Sequence, residues 1–171
     1  MTIIVAICAL IVSVASLMTS LYFSYCARDH NRRSVKPIPF IEQPDFENRI
    51  AVVIRNNGTG PLILQKAEAR SSAGGPPGHL IDLVPAAPAG LSFKNFNRVE
   101  QIRAIRPGDH VDLLDFAITV DDSTAVEYRD QLRRALGNIT LELTYTDIYD
   151  TRFPIYSRKL TWFHRHFAVR A

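Results

Sequence analysis

The chain has 171 residues, a formal net charge of +3 and two cysteines, enough for one ordinary domain, and too short for two, once an apolar N-terminal stretch is set aside. The charge is local: of 20 basic and 17 acidic residues, positions 28–36 hold four and one, which leaves 16 of each over positions 37–171. That neutral remainder lacks the electrostatic footprint of a nucleic-acid binder, and having no cysteine it excludes a disulfide, a thiolate metal site and a cysteine nucleophile.

Residues 3–24 form an uninterrupted apolar run with no charged side chain. As a helix it would be about 33 Å long, against about 30 Å of bilayer hydrocarbon. Its polar residues Ser13, Ser16, Thr19, Ser20 and Ser24 are small hydroxyls that can bond back to the helix's own carbonyls. Tyr22, Phe23 and Tyr25 close it with rings suited to the headgroup layer. A cleaved signal peptide would have a basic start, a shorter apolar core and a small-residue cleavage site, so an uncleaved transmembrane anchor over residues 1–26 is expected. Arg28, Arg32, Arg33 and Lys36 follow in a juxtamembrane linker, 27–37. By the positive-inside bias they place the rest of the chain in the cytoplasm, where they also meet anionic lipid. Ala6, Ala9, Ser13, Ser16 and Ser20 recur at spacings of three and four. This stripe of small residues would let the helix pack against a second copy or another membrane helix. Cys8 and Cys26 belong to the anchor; Cys26 is a tolerated interfacial residue or an acylation site.

Three prolines make residues 34–46 a stiff extended lead-in, with an edge strand around 38–41. Residues 49–55 alternate as a strand. Asn57, Gly58, Gly60 and Pro61 then mark the strongest turn in the chain, which predicts a hairpin with positive φ at the glycines and a returning strand over 62–69. The same turn lacks any phosphate-binding glycine pattern. Residues 71–97 hold a long excursion, with a helical turn at 80–84, that is either a binding surface or a floppy insertion. A strand is expected over 99–105, a tight turn at Pro107 and Gly108, and a strand over 110–120 whose apolar phase breaks near Leu113, the mark of a bulge. Thr124 and Glu127 read as a capping box opening a helix to 136, with Gly137 as its C′ residue and Arg133 and Arg134 complementing its C-terminus. Residues 138–145 alternate cleanly. The chain then turns at Asp147 and Asp150, with Asp147 capping its own turn, into a last strand running through Tyr156, Leu160 and Trp162. About seven short strands and one crossover helix over 38–167, followed by a tail at 168–171, predict a mainly β protein. Its expected architecture is an immunoglobulin-like antiparallel β-sandwich behind an N-terminal transmembrane helix.

Three segments carry a family resemblance: the basic flank running into Lys36 and Pro37, R-N-N-G-T-G-P-L at 55–62, and L-T-Y-T-D-I-Y-D-T-R-F at 143–153. With the N-terminal span they make the chain similar to small single-pass bacterial membrane proteins of uncharacterised function that carry an N-x-G-x-G-P hairpin in an immunoglobulin-like domain. The resemblance implies the fold and the anchoring and brings no catalytic residues.

Chemistry-bearing patterns are sparse. His164 and His166 would share one face of a strand, two short of a metal site, while His30, His79 and His110 are scattered. No nucleophile-elbow, metalloprotease or kinase signature is present. Asp121 and Asp122 lie apart in sequence from the aspartates of the later turn. The segment 162–167, W-F-H-R-H-F, is aromatic and basic; it is a membrane or partner contact, or Trp162 closes the core. No cofactor or catalytic residue is expected. The reading that follows is a non-enzymatic protein-interaction module at the membrane surface, with an unknown protein partner. The alternative is a structural subunit of a membrane complex whose transmembrane helix makes the main contacts.

Overall fold

The computed structural model describes residues 2–99, 103–119 and 122–167. The chain divides into two units, Met1–Lys36 and Pro37–Ala171. The first is a single helix, α1 (Thr2–Ser34), which buries none of its side chains. It is the one helix among the described residues long and apolar enough to cross a membrane. Ser13 Oγ donates to the carbonyl of Ala9 and Thr19 Oγ1 to that of Ala15, both at 2.8 Å, so these hydroxyls are satisfied within the helix. The helix does not stop at the basic flank. Arg28, Arg32 and Arg33 are helical, and only Lys36 lies beyond the end. Arg33 pairs with Asp29 one turn back, and Arg32 and Arg33 sit where the helix dipole favours cations.

The second unit is mainly β. Its strands are β1 (Pro39–Glu42), β2 (Arg49–Asn56), β3 (Leu62–Ser71), β4 (Asn95–Phe96), β5 (Arg103–Ile105), β6 (His110–Ala117), β7 (Ile139–Thr146) and β8 (Tyr156–Lys159). They make two antiparallel four-stranded sheets, ordered β1-β2-β6-β4 and β5-β3-β7-β8. Ile50, Val52 and Ile54 of β2 join Leu114 and Phe116 of β6, Leu64 and Ala69 of β3, and Leu141 and Leu143 of β7 in a single hydrophobic core. Each such side chain, fully buried, contributes about 1.5–3 kcal/mol. The bulge falls at Leu113: Val52 pairs with Leu114 and Val53 with Asp112, so Leu113 is the extra residue of β6.

The connections depart from the sequence expectation. The turn at 57–61 does not close a hairpin, since β2 and β3 belong to different sheets. It carries the chain across the core edge, and neither Gly58 nor Gly60 takes a positive φ. The turn at Pro107 and Gly108 likewise passes from β5 in one sheet to β6 in the other, with Gly108 at φ +75°. Asn56 ties the two crossings together. Fully buried, its Oδ1 accepts from the amides of Gly58 and Ile38, and its Nδ2 donates to the carbonyls of Gly60 and Ile105. The excursion after β3 is not a floppy insertion. It lays Leu80, Ile81, Leu83, Val84, Leu91 and Phe93 against the core. Of the expected strand over 99–105, residues 103–105 form β5, and residues 100–102 lie outside the described residues, as do Val120 and Asp121 and the tail 168–171.

Helix α2 (Ser123–Gly137) packs on the core through Ala125, Tyr128, Leu132 and Leu136. The Tyr128 ring meets Phe116 edge-on at 5.0 Å, its hydroxyl donates to the Pro85 carbonyl, and burial pushes its pKa up. The N-cap is Asp122, not Thr124: Asp122 Oδ1 accepts from the amides of Thr124 and Ala125. Gly137 is not a left-handed C′ residue either; it is the last helical residue, and Asn138 caps the end. Arg134 stays in the last turn, but Arg133 turns inward and is 4% exposed. The last strand ends at Lys159. Leu160 leads into a 3-10 helix, Thr161–His166, in which Phe163 is buried and Trp162 is 55% exposed, so Phe163 rather than Trp162 closes the core.

Candidate functional site

β1 is an outer strand of one sheet and β8 of the other. A cleft of about 380 Å3, bounded by residues that include Phe40, Glu42, Gln43, Arg158 and Trp162, lies between them. It adjoins a second of about 420 Å3 reached by Lys159, Thr161, His164 and Arg165. The local sequence explains the walls. Prolines 37, 39 and 44 hold the lead-in extended, which leaves β1 at the margin of its sheet. Buried Leu160 and Phe163 fix the 3-10 helix, so the intervening Trp162 must face outward. Two guanidinium groups lie over the exposed rings: Arg158 over Phe40 at 5.0 Å and Arg165 over Trp162 at 4.3 Å from the ring centroid.

One buried carboxylate sets the position of the 3-10 helix. Asp45 Oδ1 accepts from Arg133 Nε at 2.9 Å, while its Oδ2 lies 2.8 Å from Arg165 Nη1 and 3.1 Å from His166 Nε2. Arg165 Nη2 also donates to the Asp45 carbonyl at 2.7 Å. This ties residues from the lead-in, α2 and the C-terminal 3-10 helix to one carboxylate, and removing it would leave Arg165 without its counter-charge and Arg133 with Asp130 alone. On the opposite wall, Arg55 holds Glu42, a hydrogen bond that raises the arginine further above its ordinary pKa. Glu42 is therefore already neutralised. Arg158 and Lys159, in contrast, have no acidic partner among the described residues. The Oε1 of Gln43 is buried at the cleft wall without a hydrogen-bond partner.

No protein-family model matches this chain, and no curated protein matches it.

The residues singled out from the sequence lie elsewhere. Ala6, Ala9, Ser13, Ser16 and Ser20 are on α1, as are Arg28, Arg32 and Arg33. Asn57, Gly58, Gly60 and Pro61 meet Pro107 and Gly108 where the Gly108 amide donates to the Asn56 carbonyl at 2.8 Å. Asp147 Oδ1 accepts from the amides of Tyr149 and Thr151, and Asp150 takes φ +56°. His164 and His166 do not pinch a metal from a strand. They sit on the 3-10 helix, where residues two apart point about 120° from each other. His164 lies against the Arg134 carbonyl and His166 against Asp45. Among the described residues no group of three or more His, Cys, Asp or Glu is placed to hold a metal ion. Sequence reasoning flagged the segment containing Trp162 and the lead-in over 34–46, but singled out neither Phe40, Gln43 and Asp45 within that lead-in nor Arg158; Arg158 meets Phe40 across the two sheet margins, and Asp45 meets α2 and the 3-10 helix.

Proposed function

We propose that the protein is a non-enzymatic, membrane-anchored interaction module. α1 spans the membrane once. The two-sheet domain is an immunoglobulin-like β-sandwich that holds a protein partner at the cytoplasmic membrane surface through the cleft between β1 and β8. The fold reading is supported by the pairing pattern: β2 with β6 and β3 with β7 form the centres of the two sheets, flanked by β1 and β8, as strands B/E, C/F, A and G do in that fold. The chain departs from it in placing β4 before β5 and in joining β6 to β7 through α2. The observation that carries the functional reading is the cleft itself. It combines two exposed aromatic rings, stacked arginines and uncompensated positive charge between two sheet margins, a surface that recognises rather than reacts.

A second reading rests on α1. Its stripe of small residues runs along a helix that buries none of its side chains, so the protein would be an assembly subunit, or a homo-oligomer, held together in the bilayer. Photo-crosslinking in intact membranes separates the two. A photoreactive residue at position 162 should capture a protein partner, and one at position 13 should not. Adducts formed only from position 13 would overturn the interaction-module reading in favour of the assembly subunit.

A further inference from the structure

We propose that the cleft takes an acidic, extended peptide, added as a strand to the open margin of β8. This rests on the reading of the cleft as the interaction site. It names the chemistry of the partner.

Among the sheet margins, β8 is the one suited to receive a strand. β4 has two residues and β5, among the described residues, three, and β1 carries Pro39, which has no amide to donate. β8 has four residues and no proline. Its backbone orientation follows from the register. Leu160 N donates to the carbonyl of Ile139 at 2.9 Å, and 139 and 160 continue the β7–β8 register. Hydrogen-bonded pairs alternate along an antiparallel ladder, so Arg158 and Tyr156 bond inward to β7. Ser157 and Lys159 then turn their amides and carbonyls outward, and no backbone partner meets them among the described residues. An incoming strand would find two donors and two acceptors already aligned.

Charge selects the peptide's composition. Arg158 and Lys159 are the cations of the cleft that meet no carboxylate among the described residues: Glu42 is held by Arg55, while Arg165 and His166 contact Asp45, which Arg133 also binds. Arg158 and Lys159 point to opposite faces of β8, so carboxylates at two successive positions of the peptide would supply both missing partners. The open margin of β8 decides between a peptide and an anionic lipid: an extended chain pairs its amides and carbonyls with those of Ser157 and Lys159 in register, and a phosphodiester does not. Phe40 and Trp162 would cover apolar side chains that flank the acidic ones.

Trp162 is the single tryptophan of the chain, so its emission reports the cleft directly. The full chain, held in phosphatidylcholine nanodiscs, is titrated with a peptide repeating Glu-Glu-Val-Val. The expected result is a saturable shift of Trp162 emission that weakens with salt and weakens roughly tenfold in the Arg158→Glu and Lys159→Glu variants. Lys159 is exposed, so its variant keeps the test open if the Arg158 change disturbs the Phe40 contact. A proline in the middle of the peptide should abolish the shift. Equal binding by a Lys-Val peptide, equal binding by the proline peptide, or an equivalent shift with phosphatidylglycerol vesicles would each overturn the proposal. Selection from a random peptide library, scored by Trp162 emission, keeps the two readings apart. Non-acidic winners would overturn the acidic chemistry and leave the cleft as an interaction site. A library in which no peptide moves Trp162 would overturn both.

Discussion

Asn56 shows how one side chain can fix the path of several segments. Its amide bonds four backbone groups from the lead-in, the 57–61 crossing and β5. Its own backbone amide donates to the Asp109 carbonyl at 3.0 Å, and its carbonyl accepts from Gly108. Removing the side chain would strand two donors and two acceptors where water does not reach. Asn56→Ala should therefore cost about 3 kcal/mol or more, at about 1–3 kcal/mol for each buried group left unpaired. The neighbouring Asn57 is exposed and its backbone amide donates to the Ile38 carbonyl, so Asn57→Ala should stay within about 0.5 kcal/mol. Urea unfolding of the full chain in detergent measures both, and equal losses would show that the turn's sequence rather than the Asn56 amide holds the crossings. From the sequence, the pair was legible only as a turn signal. Which asparagine matters depends on Ile105 and Ile38, and neither adjoins the pair in the chain. The Asp45 cluster was illegible for the same reason, its partners lying 88 and 120 residues away.

Elements were legible where local periodicity decides them and misread where a distant neighbour does. The broken apolar phase of β6 locates its bulge, because a one-residue insertion shifts which face each side chain takes. Turn chemistry at 57–61 says that the chain changes direction but not which sheet receives it, so the crossing looked like a hairpin. Gly137 is the same case at a helix end. It was read as a left-handed cap, yet it is helical, and a Cβ built there meets the ring of His164 on the 3-10 helix. In isolation Gly137→Ala would stabilise α2 by about 0.5–1 kcal/mol. Packed against His164 it should instead lose about 1–2 kcal/mol, because the ring must move and it is held between the helix end and the Asp45 contacts of Arg165 and His166. In a His164→Ala background the same change should become neutral or stabilising. A thermal-unfolding double-mutant cycle reads that sign change, and equal losses in both backgrounds would sink the close-approach account.

At the scale of the whole molecule the charge distribution carries the most information. Residues 37–171 balance 16 basic groups with 16 acidic ones, and the net +3 resides in residues 28–36. Arg28, Arg32 and Arg33 are spent on the exposed last turns of α1, where Arg33 pairs with Asp29 and Arg32 and Arg33 complement the helix dipole. An exposed pair and a helix-end charge are each worth under about 1 kcal/mol, too little to account for four cations within nine positions of a helix end. The cytoplasmic placement proposed above would account for them, since basic residues within about 15–20 positions of a span set its orientation. A C-terminal reporter active only in the cytoplasm should therefore be on, and one active only outside should be off. Charge, not the domain, must be the cause. Replacing Arg28, Arg32, Arg33 and Lys36 by Gln while changing Thr2 to Lys should invert or mix the two signals and leave the fold of residues 37–171 unchanged. If the native chain instead activates only the external reporter, the basic flank is not an orientation signal. The cleft would then face the outside, and its acidic partner would have to be sought there.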